Sequence, residues 1–192
     1  KENMSPLTTK QKNSFDEKEI SEILKRSVFS GGSISYSEMS KLVENEIFVH
    51  VTSISQLEQY AEIANQKNKD FNLGVRMWFD SNMRYGRQGI KPSSISEALQ
   101  IAKKNSLKIT SIHMYRGTGT GSVSSFAEPF EDFYNLAIQF PDLEYVDIGG
   151  GFGYNYKNRG KSFKWHEFAG YLDSLMLRVN QHFGRELSLK LE

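Results

Sequence analysis

From Val28 onward the chain repeats one pattern, and that repeat limits the fold more than any single motif does. Short β-rich runs at 28–29, 47–51, 73–79, 107–114, 144–148 and 187–191 alternate with segments of helical period at 38–45, 56–66, 95–104, 130–139 and 165–183. Such alternation builds right-handed βαβ units on a parallel sheet. Ser35-x-x-Glu38, Ser55-x-x-Glu58, Ser94-x-x-Glu97 and Ser125-x-x-Glu128 each stand just before an apolar-periodic segment and predict four capping boxes. Ile47-Phe48-Val49 and Tyr145-Val146 predict strands that are, in these places, apolar on both faces. Roughly six βα units without a breakpoint fit most of an eight-fold barrel better than a doubly wound sheet. In either fold the ligand site lies at the C-terminal ends of the strands. There the sequence places Arg84-Tyr85-Gly86, the stretch 115–121 and Gly149-Gly150-Gly151-Phe152-Gly153.

The 192 residues suit one domain, or part of a larger protein. Hydrophobic residues at 38% and aromatics at 12% are enough for a core. The 24 basic side chains stand against 23 acidic ones, so net charge makes no case for nucleic acid or a membrane surface as partner. No apolar run approaches a membrane span, and no signal-peptide pattern is visible. Without cysteine there can be no disulfide or thiolate metal site, which fits a cytoplasmic protein. Residues 1–25 are polar, lysine-rich and short of apolar period, and by composition read as a linker or frayed terminus. Lys1 is not an initiator Met, and the alternating run 187–192 stops without a turn; the expectation is a fragment of a longer chain.

The glycine run follows the apolar strand Leu143-Glu144-Tyr145-Val146-Asp147-Ile148. Backbone N–H groups without flanking Cβ atoms can converge on an anion, and the natural guest is a phosphate. The run fails the dinucleotide fingerprint because Tyr154 occupies the last glycine position. Gly160-Lys161-Ser162 fails as a nucleotide-triphosphate loop because Asn155 stands where its first glycine belongs. His113-Met114-Tyr115-Arg116-Gly117-Thr118-Gly119-Thr120-Gly121 mimics a kinase glycine loop, but Ser122 replaces its last glycine. His113 reads as a core histidine with its hydrogen bonds met rather than a metal ligand, and no metal site is expected. Tyr115 is either core packing or an aromatic face for a planar ligand. Thr118 offers a hydroxyl to a phosphate, and Arg84 is a surface or site-edge cation. Asp147, penultimate in a buried strand, needs a hydrogen-bonding or cationic partner.

These segments resemble the barrel domain of the pyridoxal-phosphate-dependent amino acid decarboxylases of the alanine-racemase fold, which include diaminopimelate, ornithine and arginine decarboxylases. Val146 through Gly153 is similar to that family's glycine loop for the cofactor phosphate. His113-x-Tyr115-x-Gly117-Thr118 resembles its His-x-Gly-Ser segment, with Tyr115 standing where the decarboxylases place a histidine against the cofactor ring. Arg84-Tyr85-Gly86 resembles a basic–aromatic–Gly segment. Val28-Phe29-Ser30-Gly31-Gly32, and Val49-His50-Val51-Thr52-Ser53 with Leu57-Glu58, are also similar. Lys1-Glu2-Asn3 resembles the Lys-x-Asn motif of the cofactor-linking lysine, though the interval to Phe15-Asp16 is shorter than in the family. Leu191-Glu192 resembles the start of the Glu-Pro-Gly-Arg motif.

The resemblance implies an α/β, (β/α)8 TIM-type barrel domain, alanine-racemase-like, truncated or incomplete. Residues 1–192 would be the pyridoxal-phosphate-binding barrel, without the family's C-terminal β-domain. It implies pyridoxal 5'-phosphate as cofactor and decarboxylation of an amino acid as activity, in a homodimer. Lys1 would be the catalytic lysine. Tyr115, Thr118, Gly149, Gly150, Gly151, Phe152, Gly153, Arg84 and Glu192 would bind the cofactor, with Glu192 on its ring nitrogen. A racemase of the same fold, or a silent regulatory homologue, stays open as an alternative.

Overall fold

The computed structural model describes residues 17–79, 88–117, 121–153 and 163–192. Six strands form one all-parallel sheet in the order β1 to β6: Val28–Phe29, Phe48–Val51, Asn72–Arg76, Lys108–His113, Tyr145–Asp147 and Ser188–Lys190. Spatial order equals chain order. A doubly wound sheet reverses direction at a switch point, and this sheet has none, so the barrel reading holds. The helices are α1 Glu17–Lys25, α2 Tyr36–Glu44, α3 Ile54–Gln66, α4 Ile95–Lys104, α5 Val123–Ala127, α6 Phe130–Ala137 and α7 Trp165–Phe183.

Register separates the sheet into an apolar row and a polar row. Val51, Val75, Ile112, Val146 and Leu189 are consecutive neighbours across β2 to β6. The first four are fully buried. One residue further along lies Arg76, His113, Asp147 and Lys190, and one residue before lies His50, Gly74, Ser111, Tyr145 and Ser188. Because side chains alternate, these two sets share the opposite face. At the places expected to be apolar on both faces, Val49, Tyr145 and Val146 are buried and Ile47 and Phe48 half-buried; elsewhere the face opposite the apolar row carries the ionisable groups.

Helix α7 buries Phe168, Leu172, Leu175 and Val179, a stripe at helical spacing. It ends at Gly184 in left-handed conformation, φ 63°. Helices α2, α3 and α4 each leave through a non-glycine residue of positive φ: Glu46 (55°), Asn68 (49°) and Ser106 (55°). After each, the next amide bonds back to the last helical turn: Ile47 to Leu42 O, Lys69 to Ala64 O, Leu107 to Ala102 O, all 3.0 Å. This is the Schellman closure, repeated at three helix-to-strand junctions.

One of the four predicted capping boxes forms. Ser35 caps α2 with Glu38 reaching back to its amide at 2.7 Å. At α3 the cap is Ser53, two residues earlier than Ser55. At α4 a 3₁₀ turn, Pro92–Ser94, extends the helical end upstream, so Ser94 makes no side-chain cap. Ser125 lies inside α5, capped by Ser122, and Glu128 pairs instead with Arg116 at 2.8 Å. Residues 17–25, expected as linker, form α1. Ile20, Ile23 and Leu24 give it an i, i+3, i+4 apolar edge that bulk composition hides.

Candidate active site at the C-terminal strand ends

The site begins where β5 runs out. Asp147 is buried, and its Oδ1 accepts a 2.8 Å hydrogen bond from the Gly149 amide. That bond turns the chain: Gly149 adopts φ 63°, and a Cβ there would sit 2.3 Å from the Met114 carbonyl oxygen. The Gly149 amide is thus spent within the fold, which narrows the anion nest expected over the whole loop. Among the described residues, the Gly150 and Gly151 amides donate to no partner. Phe152 points its ring into an aromatic cluster, stacking 4.5 Å from Phe126 and packing on Phe163, Trp165 and Phe168. Its side chain anchors the loop; the neighbouring backbone is what the loop has left to offer.

Glu192 joins the loop from the next strand. Its amide donates to the Gly149 carbonyl at 3.1 Å, and a Cβ on Gly150 would meet the Glu192 carbonyl oxygen at 2.7 Å. Only a residue without a side chain allows that approach. The Glu192 carboxylate lies 3.7 Å from His113 Nε2. The His113 ring, then the Arg76 guanidinium, holds this carboxyl below its ordinary range against partial burial. Burial pushes the Asp147 carboxyl up, opposed by His113 and by the Gly149 amide. Arg76 also sits over the Tyr115 ring, 5.1 Å from its centroid.

Below this layer His50 is locked in place. Its Nδ1 faces Ser30 Oγ at 2.8 Å, its Nε2 faces Ser111 Oγ at 3.2 Å, and its ring stacks on His113 at 4.8 Å. Burial first, then the cations around it, push its pKa down to about 2, so it is neutral. Lys190 lies over the Tyr145 ring at 3.7 Å, and burial raises the Tyr145 hydroxyl above its ordinary value.

Gly149, Gly150, Gly151, Phe152, Gly153 and Glu192 come together as one corner of the molecule, and Tyr115 stands at the end of the neighbouring strand. Lys1, Arg84 and Thr118 lie outside the described residues. His113 is buried as expected, but among the described residues neither ring nitrogen has a hydrogen-bond partner, which corrects the picture of a satisfied core histidine. Sequence reasoning missed His50, Arg76, Tyr145 and Lys190 as site-facing residues. The signal lies in polar residues at alternate positions of short apolar strands. It also missed a donor grouping, since ligand atoms of His50, Asp147 and Glu192 lie within 4.8 Å of one another. Both His50 nitrogens already face serine hydroxyls, so His50 is held by hydrogen bonds rather than free to ligate a cation.

A parallel barrel sheet with a glycine turn, a carboxylate and an aromatic ring at its strand ends defines a protein of the alanine-racemase-like barrel class. The chain belongs to the pyridoxal-dependent decarboxylases: the profile of their pyridoxal-binding domain matches residues 22–192. The family's cofactor is pyridoxal phosphate, in keeping with the glycine loop. A biosynthetic arginine decarboxylase of Phocaeicola vulgatus is 28% identical over 140 residues, covering 64% of this chain and 22% of that protein. A diaminopimelate decarboxylase of Aquifex aeolicus is 25% identical over 170 residues, covering 80% of this chain and 40% of that protein. The chain therefore spans well under half of these relatives. The crystal structure of Helicobacter pylori diaminopimelate decarboxylase complexed with L-lysine superposes with a TM-score of 0.74 at 22% identity, over 88% of this chain and 45% of that one.

Proposed function

We propose that the complete protein is a pyridoxal-phosphate-dependent decarboxylase of an amino acid of the diaminopimelate, ornithine or arginine type. The observation that carries this reading is the joint between the glycine loop and Glu192, made by the Glu192 amide on the Gly149 carbonyl. It brings an anion nest and a carboxylate from distant parts of the chain to one place, and these are the two ends a phosphorylated pyridine needs. The residues fit such a group. Among the described residues the Gly150 and Gly151 amides have no acceptor, and Glu192 is held as an anion.

In this reading the amides of Gly150, Gly151 and Gly153 hold the phosphate, with Thr118 and Arg84 at its edge. Gly149 makes the turn, and Phe152 ties the loop to the aromatic cluster. Tyr115, braced by Arg76, gives an aromatic face for the ring. Glu192 would accept a hydrogen bond from the ring nitrogen and keep that nitrogen protonated, and Lys1 would be the covalent attachment point. When bound, the cofactor supplies an electron sink for the bond that breaks at the α-carbon. Residues 1–192 are then the barrel part of a longer chain with a C-terminal β-domain, working as a cytoplasmic homodimer. Among the described residues no helix is long and apolar enough to cross a membrane.

The full-length protein is expected to bind pyridoxal phosphate with a visible absorbance band and to release CO₂ from one of these amino acids. Inverted stereochemistry without CO₂ would replace this reading with a racemase. A protein that stays colourless and binds no cofactor would end it.

A further inference from the structure

Among the described residues, the buried side-chain polar atoms without a hydrogen-bond partner are the Tyr60 hydroxyl and both ring nitrogens of His113. A buried polar group left unpaired costs about 1–3 kcal/mol, so a native fold keeps one for a reason. The surroundings of His113 supply it. Its strand neighbours are Arg76 on one side and Asp147 on the other. Its Nε2 points at Glu192 Oε1 from 3.7 Å, a small movement short of a charge-assisted hydrogen bond. A Cβ on Gly149 would stand 3.1 Å from the same nitrogen, so the glycine leaves that side open. His50, stacked beneath, has both nitrogens against serine hydroxyls and cannot serve the carboxylates. Among the described residues, the charged and titratable groups around His113 include His50 from β2, Arg76 from β3, Tyr145 and Asp147 from β5, and Lys190 and Glu192 from β6 and beyond.

We propose that His113 is the positioning residue of this site: its ring Nε2 closes on the Glu192 carboxylate and holds it aimed for the cofactor's ring nitrogen. The inference rests on the role given to Glu192 above. Without His113, Arg76 is the remaining cation acting on Glu192 among the described residues.

Two measurements on the full-length protein test it. In the cofactor-free protein, ring ¹⁵N NMR at about pH 7 should show His113 Nε2 engaged with the carboxylate, so that Glu192→Gln moves the Nε2 resonance of His113 and leaves the resonances of His50 in place. Identical His113 resonances in the two proteins overturn the proposal, whether or not any His113 variant folds. The pH dependence of the dissociation constant for pyridoxal phosphate gives the second. Binding should weaken at acid pH as Glu192 protonates, and His113→Asn should move that midpoint to higher pH. His113→Gln serves as the second variant. An unmoved midpoint in folded His113→Asn refutes the role of His113. If Glu192→Gln leaves binding unchanged at every pH, the role of Glu192 toward the cofactor fails instead, and NMR still decides whether the two residues are coupled.

Discussion

Ile112 and His113 are consecutive residues of β4, both buried, and they do opposite work. Ile112 belongs to the apolar row that joins β2 to β6 against the helices. Its burial in a close-packed layer is stabilising in proportion to the apolar area removed from water. His113 belongs to the row that collects Arg76, Asp147 and Lys190, and its ring holds no hydrogen bond among the described residues. One face of the sheet supplies stability, and the other gives up part of it to hold charges close together where they can meet a ligand. The two demands coexist because strand side chains alternate, so adjacent residues never compete for the same space.

Three substitutions probe that division. The largest effect is expected from Ile112→Ala, which opens a cavity in the apolar row and should cost roughly 2–5 kcal/mol, read as a lower urea midpoint. A loss under about 1 kcal/mol would mean this row is not the main source of stability. On the polar face, His50 tests the cost of burying a titratable ring. Its folded pKa is depressed to about 2 from 6.5, so between those values the unfolded chain binds a proton that the native chain does not. Stability should fall as pH drops through that window, by up to about 1.4 kcal/mol per pH unit. In His50→Gln the slope should be shallower by that amount. Equal slopes in unfolding series from pH 4 to 7 would show that His50 is not buried and neutral. The smallest effect is expected from Lys190→Met, which keeps the stem but removes the charge over Tyr145. The loss should be about 0.5–1 kcal/mol, seen as a slight drop in thermal midpoint. A loss as large as that of Ile112→Ala would break the contrast between the faces.

Much of this architecture is legible in the amino-acid sequence itself. Helices α4 and α7 run over the same residues as their apolar periodicity, and the strands lie within or against their expected runs. The glycine loop announces itself because three consecutive glycines seldom serve an ordinary turn. Capping is less legible. Ser-x-x-Glu says that a serine can cap, but the backbone decides whether it does. Ser35 is extended (φ −73°, ψ 158°) and caps, whereas Ser94 (φ −102°, ψ 6°) already continues a 3₁₀ turn. Helix α1 is hidden by its lysines and glutamates. The helix-ending residues Glu46, Asn68 and Ser106 offer no glycine to mark them.

Local order along the chain determined the alternation of strands and helices, the barrel class, the family and the glycine turn. Each of these depends on residues within a few positions of one another, or on periodicity that is visible in one dimension. Tertiary structure alone decided which polar residues meet. His50, Arg76, His113, Asp147 and Glu192 come from five separate stretches of the chain. They become neighbours only because parallel strands pair in one register, and a slip of one residue would turn every one of them to the other face.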